Sequence, residues 1–405
     1  MNGDAPQTEQ AKGLAVVGYH DLENRPGFKM GMQVVNDRWY LYMGSLWHRG
    51  WSILDVTDPA RPQLANWVEG PDNTWTIQMQ VADGLMVTAL ERISPVWGGD
   101  PNRPHEAGVY IWDVSDPVHP RRLSYFATGG GGTHRNFYAG GPYLHLAANP
   151  EGYQSNIYII VDISDPENPR EVSRWWYPGQ HKAGGEAPTI NFGLHGPAHV
   201  EGDRAYLSYG DAGMVILDVS DLEQPTLVSR LPFKPPLGSN IPVHSVVPIR
   251  NRTLALINSE ALAEECQEPL NFAAVVDISN EREPRLISLL PLPVPEPGLP
   301  YANFCQKGGR FGPHNQQHWQ GQPHLLHDEN KVYLTYFNAG LRIYDIADPL
   351  LPSEVAYYVP ENPKRRNGLL PRTLVTQTED VLVDVRGYIY MTDKNHGLIV
   401  LRETA

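Results

Sequence analysis

The chain has 405 residues, with 37 Gly, 37 Pro, 19% charged side chains and a formal net charge of −14. So many turn residues argue against a helical protein, and the negative charge argues against a nucleic-acid backbone as partner. No uninterrupted apolar run of about 18 residues is present, so no membrane-spanning helix is expected.

The first residues, MNGDAPQTEQAKG, are polar and lack the apolar segment of a secretory signal. A cytoplasmic protein is the default expectation, and a mature form cloned without its leader reads the same way. GLAVVGYHD at 13–21 then reads as a strand with no hairpin of its own. Beyond it a pattern recurs: SILDVTDPARP at 52–62, YIWDVSDPVHP at 110–120, IIVDISDPENP at 159–169, VILDVSDLEQP at 215–225, AVVDISNEREP at 274–284 and RIYDIADPLLP at 342–352. A hairpin such as DRWYLYMG or RAYLSYG precedes each copy, and the copies lie 49 to 68 residues apart. A period of this size with a constant strand–turn core marks a repeat architecture, and the β-rich composition selects a propeller. The Asp can cap turn amides and the Pro presets φ, so the motif is turn chemistry and not catalytic.

A seventh hairpin, VLVDVRGYIYMTD at 381–393, is followed by GLIVLRETA and then lacks a fourth strand. Residues 13–21 can supply it, which leaves no open edge. The expectation is an all-β, seven-bladed β-propeller of four-stranded blades, a single domain over 1–405. Its blades fall at about 30–68, 74–126, 134–176, 195–232, 244–290, 314–358 and 373–402, with 13–21 as the outer strand of the last.

The runs VILDVSD and IIVDISDPENP, with their preceding hairpins, resemble the LVIVD repeat of bacterial β-propeller proteins. That resemblance spans nearly the whole chain and implies the fold, while saying little about activity. The architecture is more distantly similar to the selenium-binding (methanethiol oxidase) proteins and the carotenoid-cleavage oxygenases. No motif of either group is present, so this similarity rests on fold and histidine content.

In a propeller, connections between blades and loops after each second strand meet on one rim. The long ones here include ERISPVWGGDPNRPHEAG, YPGQHKAGGEAPTINFGLHGPAH, NSEALAEECQEPLNF and the run from Pro291 to Pro323. Function is expected on that rim. His134, His195, His244 and His324 each stand about five to eight residues before a hairpin turn in four successive blades, at the entrance of the inner strand. Around a channel they can converge on one metal ion.

His199, His314, His318 and His327 compete for the same positions. In the pairs FGLHGPAH and FGPHNQQH, histidines four apart on an extended strand lie about 13 Å apart, too far to share an ion. At most one of each pair is then a direct ligand. His20, His48, His105, His119, His181 and His396 read as ordinary hydrogen-bonding groups. Among acids at the ends of second strands, Glu260 is favoured over Glu91 and Asp211 as a helper carboxylate, and His199 and His314 are the further catalytic candidates. Trp47, Phe192, Tyr336 and Trp319 are available to wall an apolar pocket. GGGGT at 129–133 lacks the lysine of a phosphate loop. Cys266 and Cys305 are expected as free thiols in a reducing compartment, with a single bridge or thiolate ligation as the alternatives.

Neutral imidazoles suit a divalent transition metal and not calcium. Iron or copper is favoured, in an oxidoreductase acting on a small aromatic or apolar molecule. The alternatives are a zinc- or manganese-dependent hydrolase or lyase, and a non-catalytic propeller that uses its rim as a binding platform. A small-molecule substrate is expected, with neither nucleic acid nor membrane as partner.

Overall fold

The computed structural model describes residues 5–404 except Pro188, Pro236 and Leu270. The alternating apolar runs become short antiparallel strands joined in sequence order, giving an all-β fold of the propeller type. One unit shows the rule. Strand His199–Glu201 pairs with Arg204–Ser208, that with Met214–Asp218, and that with Thr226–Leu231. Groups starting at Gly27–Val35 and Ile241–Ile249 repeat this order. Two further groups, Met79–Ala82 to Arg121–Ala127 and Gly132–Phe137 to Arg170–Trp175, are joined into one sheet through Thr74–Trp75 and the pair Gly132–Glu91.

The recurrent motif does what its chemistry dictates. The first aspartate accepts the backbone N–H two residues on, at 2.9 Å from Asp55 to Thr57, 2.8 Å from Asp162 to Ser164 and 2.9 Å from Asp218 to Ser220. The second aspartate repeats the bond one turn later, as in Asp165 with the N–H of Glu167 at 3.1 Å. A polar side chain of the outer strand then reaches the next unit's turn: the Ser124 hydroxyl donates to the Pro166 carbonyl at 2.6 Å, and Ser288 to that of Pro349 at 2.7 Å. Apolar clusters fill the space between adjacent units, as where Leu146 and Ile159 meet Val87 and Ile111. Burial therefore runs around the disc and leaves its axis to polar side chains.

Strand Leu14–His20 pairs with Leu398–Glu403, beyond Tyr388–Asp393 and Thr378–Val383. Its Gly18 lies against the first unit's turn, where a Cβ would meet the Pro59 carbonyl oxygen at 2.0 Å. The polar residues ahead of it carry no strand signal, yet Thr8–Lys12 forms a strand on Ser353–Pro360, and the buried Gln10 amide donates to the Tyr301 hydroxyl at 2.8 Å.

The expectation of free thiols is corrected. Cys266 and Cys305 form a disulfide with a Cα–Cα distance of 5.4 Å. The bridge joins the loop after Glu260 to the short helix Phe304–Lys307, two segments that lie far apart in sequence but share one rim.

Candidate functional site

The inner strands do not present their side chains by simple alternation. Gly132–Phe137 has a register shift between Thr133 and Arg135, and His134 is the extra residue. A bulge re-aims side chains, so the sequence neighbours His134 and Arg135 both line the same cavity. Similar shifts fall between Gly27 and Met30, between Ile241 and Ser245, and between Thr378 and Val381. They set Lys29, His244, Glu379 and Asp380 at the channel. His195 arrives differently, on the stretch before His199–Glu201. There Gly196 is pressed against the next unit, and a Cβ would stand 1.9 Å from the His244 carbonyl oxygen. Only glycine allows this approach.

The result is a row of imidazoles. Ring centroids are 4.5 Å apart for His134 and His195, 5.3 Å for His195 and His244, and 4.8 Å for His244 and His314. Glu260, at the end of strand Leu254–Glu260, faces them: its Oε2 lies 3.1 Å from His195 Nε2 and 3.6 Å from His244 Nε2, and its Oε1 3.8 Å from His314 Nε2. Arg310 donates to Oε1 at 3.1 Å. The candidate ligand atoms of His195, His244 and Glu260 all lie within 4.8 Å of one another.

Outer partners fix the rings. His134 Nδ1 is 2.7 Å from Glu91 Oε2, which leaves its buried Nε2 without a partner. His314 Nδ1 is 3.0 Å from the Glu379 carbonyl oxygen and 3.1 Å from its carboxylate, and Lys394 in turn donates to Glu379. His244 Nδ1 lies 2.8 Å from the Ser245 hydroxyl, while Arg135 points a guanidinium nitrogen at its Nε2 from 2.8 Å.

Burial sets the charge states. It pushes His195 down to about 4, helped by the neighbouring His134, and holds His244 and His314 well below the ordinary imidazole value. These rings are neutral at pH 7, as metal ligation requires. Burial alone would raise Glu260. The hydrogen bond from His195, with His244 and the Arg310 cation beside the carboxylate, outweighs it, so Glu260 sits below its usual value. Arg135 is pushed down to about 10 by burial and remains a cation at neutral pH.

The cavity above this row measures about 130 Å³, and Phe28, Leu46, Trp75, Ile77, Trp97 and Leu262 form its apolar side. Trp97 comes from the long loop after Leu85–Arg92, which Asn73 anchors by accepting from the Asp100 N–H at 2.9 Å. Trp47 and Trp75 flank it, with centroids 5.5 and 5.2 Å away. The expected long connections thus do converge on one cavity.

Of the residues read from sequence, His134, His195, His244, His314 and Glu260 come together. His324 does not: its Nε2 is 3.1 Å from the Met32 carbonyl oxygen, and its ring meets Trp39 edge-on at 6.0 Å. No strand is formed between Phe304–Lys307 and Lys331–Thr335; the stretch that lies along Lys331–Thr335 begins at His314, whose N–H donates to the Thr335 carbonyl at 2.9 Å, so counting back from the turn misplaces the entrance. His199 also stands apart. It meets His318 at 4.7 Å, and both line cavities away from Glu260. Each His-x-x-x-His pair is therefore divided between two places along the channel. His327 lines the outer cavity with Trp319, Tyr336 is core, and Phe192 touches His195 edge-on at 6.5 Å. Glu91 holds His134, whereas Asp211 caps the N–H groups of Asn191 and Phe192. Sequence reading missed Arg135, Arg310, Glu379 and Lys394. The two cations and the Glu379–Lys394 pair lie far apart in sequence, and the one local signal was Arg135 beside a candidate ligand.

Comparison with known proteins agrees on the fold. Residues 152–175 and 198–231 match the LVIVD repeat, so the chain carries LVIVD repeats. No curated protein matches it. Among solved structures, the chain is similar to a periplasmic gluconolactonase from Pseudomonas aeruginosa, with 11% identity, a TM-score of 0.56, and coverage of 90% of this chain and 99% of that one. A computationally designed protein, Ika8, gives a TM-score of 0.47 at 8% identity, with coverage of 98% and 99%. At these identities the likeness concerns fold alone.

Proposed function

We propose a metal-dependent enzyme whose site at the channel mouth holds one divalent transition-metal ion on His195, His244 and Glu260, with His134 and His314 flanking it. The observation that carries this is the clustering of these three ligand atoms within 4.8 Å, beside an orphaned, buried His134 Nε2. The donor set fits such an ion: neutral imidazoles, one ionised carboxylate, and outer partners that orient the rings. Two imidazoles and a carboxylate with open positions suit Fe(II), and added imidazoles suit copper, so a non-haem iron or copper oxidoreductase is the favoured reading. When bound, such an ion supplies redox chemistry and a site for an oxygen ligand. The chain's own residues do the rest. Glu91 and Glu379 aim the imidazoles, Arg310 fixes Glu260, and the tryptophan wall excludes water and receives an apolar or aromatic small molecule.

Elemental analysis of purified protein, with oxygen uptake over a panel of small aromatic compounds, tests this reading. Stoichiometric iron or copper is expected. Zinc or manganese in its place would shift the reading to a hydrolase or lyase, and failure to retain any transition metal would leave a non-catalytic binding propeller.

We also infer seven four-stranded blades, closed by Leu14–His20. The strand groups, the Lys29–Asp380 ion pair at 2.8 Å and the approach of Gly18 to Pro59 support a last unit abutting the first. The Cys266–Cys305 bridge supports work in an oxidising compartment over the cytoplasm. We expect no nucleic-acid or membrane partner.

A further inference from the structure

The groups around the site carry an uneven burden of charge. Arg135 is 3% exposed, yet it forms no ion pair with a carboxylate among the described residues. One guanidinium nitrogen meets Asn315 Oδ1 at 3.2 Å, another meets His244 Nε2 at 2.8 Å, and Nε has no partner. The nearby carboxylates are committed elsewhere: Asp380 to Lys29 at 2.8 Å, Glu260 to Arg310 at 3.1 Å, Glu91 to His134 at 2.7 Å, and Glu379 to Lys394. A buried guanidinium with neutral partners alone is costly unless an anion reaches it.

Two features indicate which anion. First, Lys29, Arg135, Arg310 and Lys394 are matched in number by Glu91, Glu260, Glu379 and Asp380, so the cluster holds no carboxylate to spare. A divalent ion would leave an excess of positive charge among buried side chains, where charge is felt strongly. Second, an ion on His244 would take the lone pair that Arg135 now faces. The freed N–H groups would then border the cavity that Arg135 already lines with Trp75 and Trp97. Planar, forked donors suit a carboxylate.

We propose that the substrate is a small organic anion, a carboxylate on an apolar or aromatic body, with its charged end held by Arg135 and its body against Trp97 and Trp75. This rests on the metal reading above and names the substrate class for the same site.

The test uses benzoate and its neutral analogue benzamide, titrated against the full-length metal-loaded protein by calorimetry and by tryptophan fluorescence. Benzoate should bind at least about tenfold more tightly than benzamide, since hydrogen bonds between two charged groups are stronger than those to a neutral amide. Arg135→Gln should abolish that preference and Arg135→Lys should restore part of it. Equal affinity for the two compounds in the unaltered protein, a comparison that needs no variant to fold, overturns the assignment. So does full benzoate preference in a folded Arg135→Gln protein. Metal content of the same preparations separates the two readings. Bound metal without benzoate preference removes the anion assignment alone, whereas benzoate preference in protein that retains no metal supports Arg135 as the anion group and removes the metal reading.

Discussion

Two places along the channel contain buried histidines, and they are built differently. Around Glu260, each imidazole has at least one ring nitrogen held by a carboxylate, a carbonyl or a hydroxyl. Further along, His199 and His318 meet edge-on at 4.7 Å, and neither nitrogen of His318 has a partner among the described residues. Burial lowers His199 to about 3 and holds His318 well below the ordinary value, as it does His244 and His314. Burial and neutrality are therefore common to both places. What distinguishes the first is orientation: a carboxylate in reach of three imidazoles, and outer partners that fix where each ring points.

The largest expected effect separates the two. Glu260→Gln removes the carboxylate and strands Arg310 without its counter-charge, and breaking such a buried pair costs about 3–5 kcal/mol. Metal affinity should also fall by at least about tenfold. His318→Phe should leave metal affinity within about twofold, because nothing in its surroundings orients it as a ligand. Calorimetric metal titration and thermal melts of both variants read the contrast. Equal losses would erase the distinction between the two places.

Gly196→Ala tests how the first place is assembled. A methyl group 1.9 Å from the His244 carbonyl must push two neighbouring units apart, at a cost of about 1–3 kcal/mol, and His195 should move away from Glu260. A lower melting temperature and weaker metal binding are expected together. Unchanged metal binding would mean that the approach is not needed. Glu91→Gln is a milder change, since the amide can still accept from His134. It should lower metal affinity by up to about tenfold while leaving the melting temperature nearly unchanged.

How much of this was legible follows from what each feature depends on. The strands and the Asp-capped turns are local or repeated, so six copies of one motif announce them, and the long-range pairing of Leu14–His20 with the last unit follows from a final hairpin left one strand short. His134, His195, His244 and Glu260 could be read because each lies near a strand end whose hairpin is visible. His324 was misplaced because the stretch between Trp319 and Asp328 lengthens that unit's path before its hairpin. The four bulges could not be read, for a register shift of one or two residues leaves no mark in an apolar pattern. Without them Arg135 should face away from His134. The pairing of Cys266 with Cys305 likewise depends on two rim loops meeting.

The smallest effect concerns the turns, far from either histidine group. Asp55, Asp113, Asp162, Asp218 and Asp277 all lie below the ordinary carboxyl value, and Asp162 reaches about 2 through its bonds to Ser164 and Arg170. Groups lowered in the fold stabilise it above their unfolded value, and that contribution is lost as pH falls through the folded one. For Asp162 the window runs from 3.8 down to about 2. The melting temperature should therefore decline gradually over that range, with Asp162→Asn showing a shallower decline than the unaltered protein. Parallel profiles would mean that this turn does not contribute.

Orientation, and not histidine number, makes the site. Anomalous diffraction at the metal's absorption edge, on crystals of the metal-loaded protein, addresses it directly. One strong peak is expected about 2.0–2.2 Å from nitrogen atoms of His195 and His244 and from a Glu260 oxygen. A peak between His199 and His318, with none at Glu260, would contradict it.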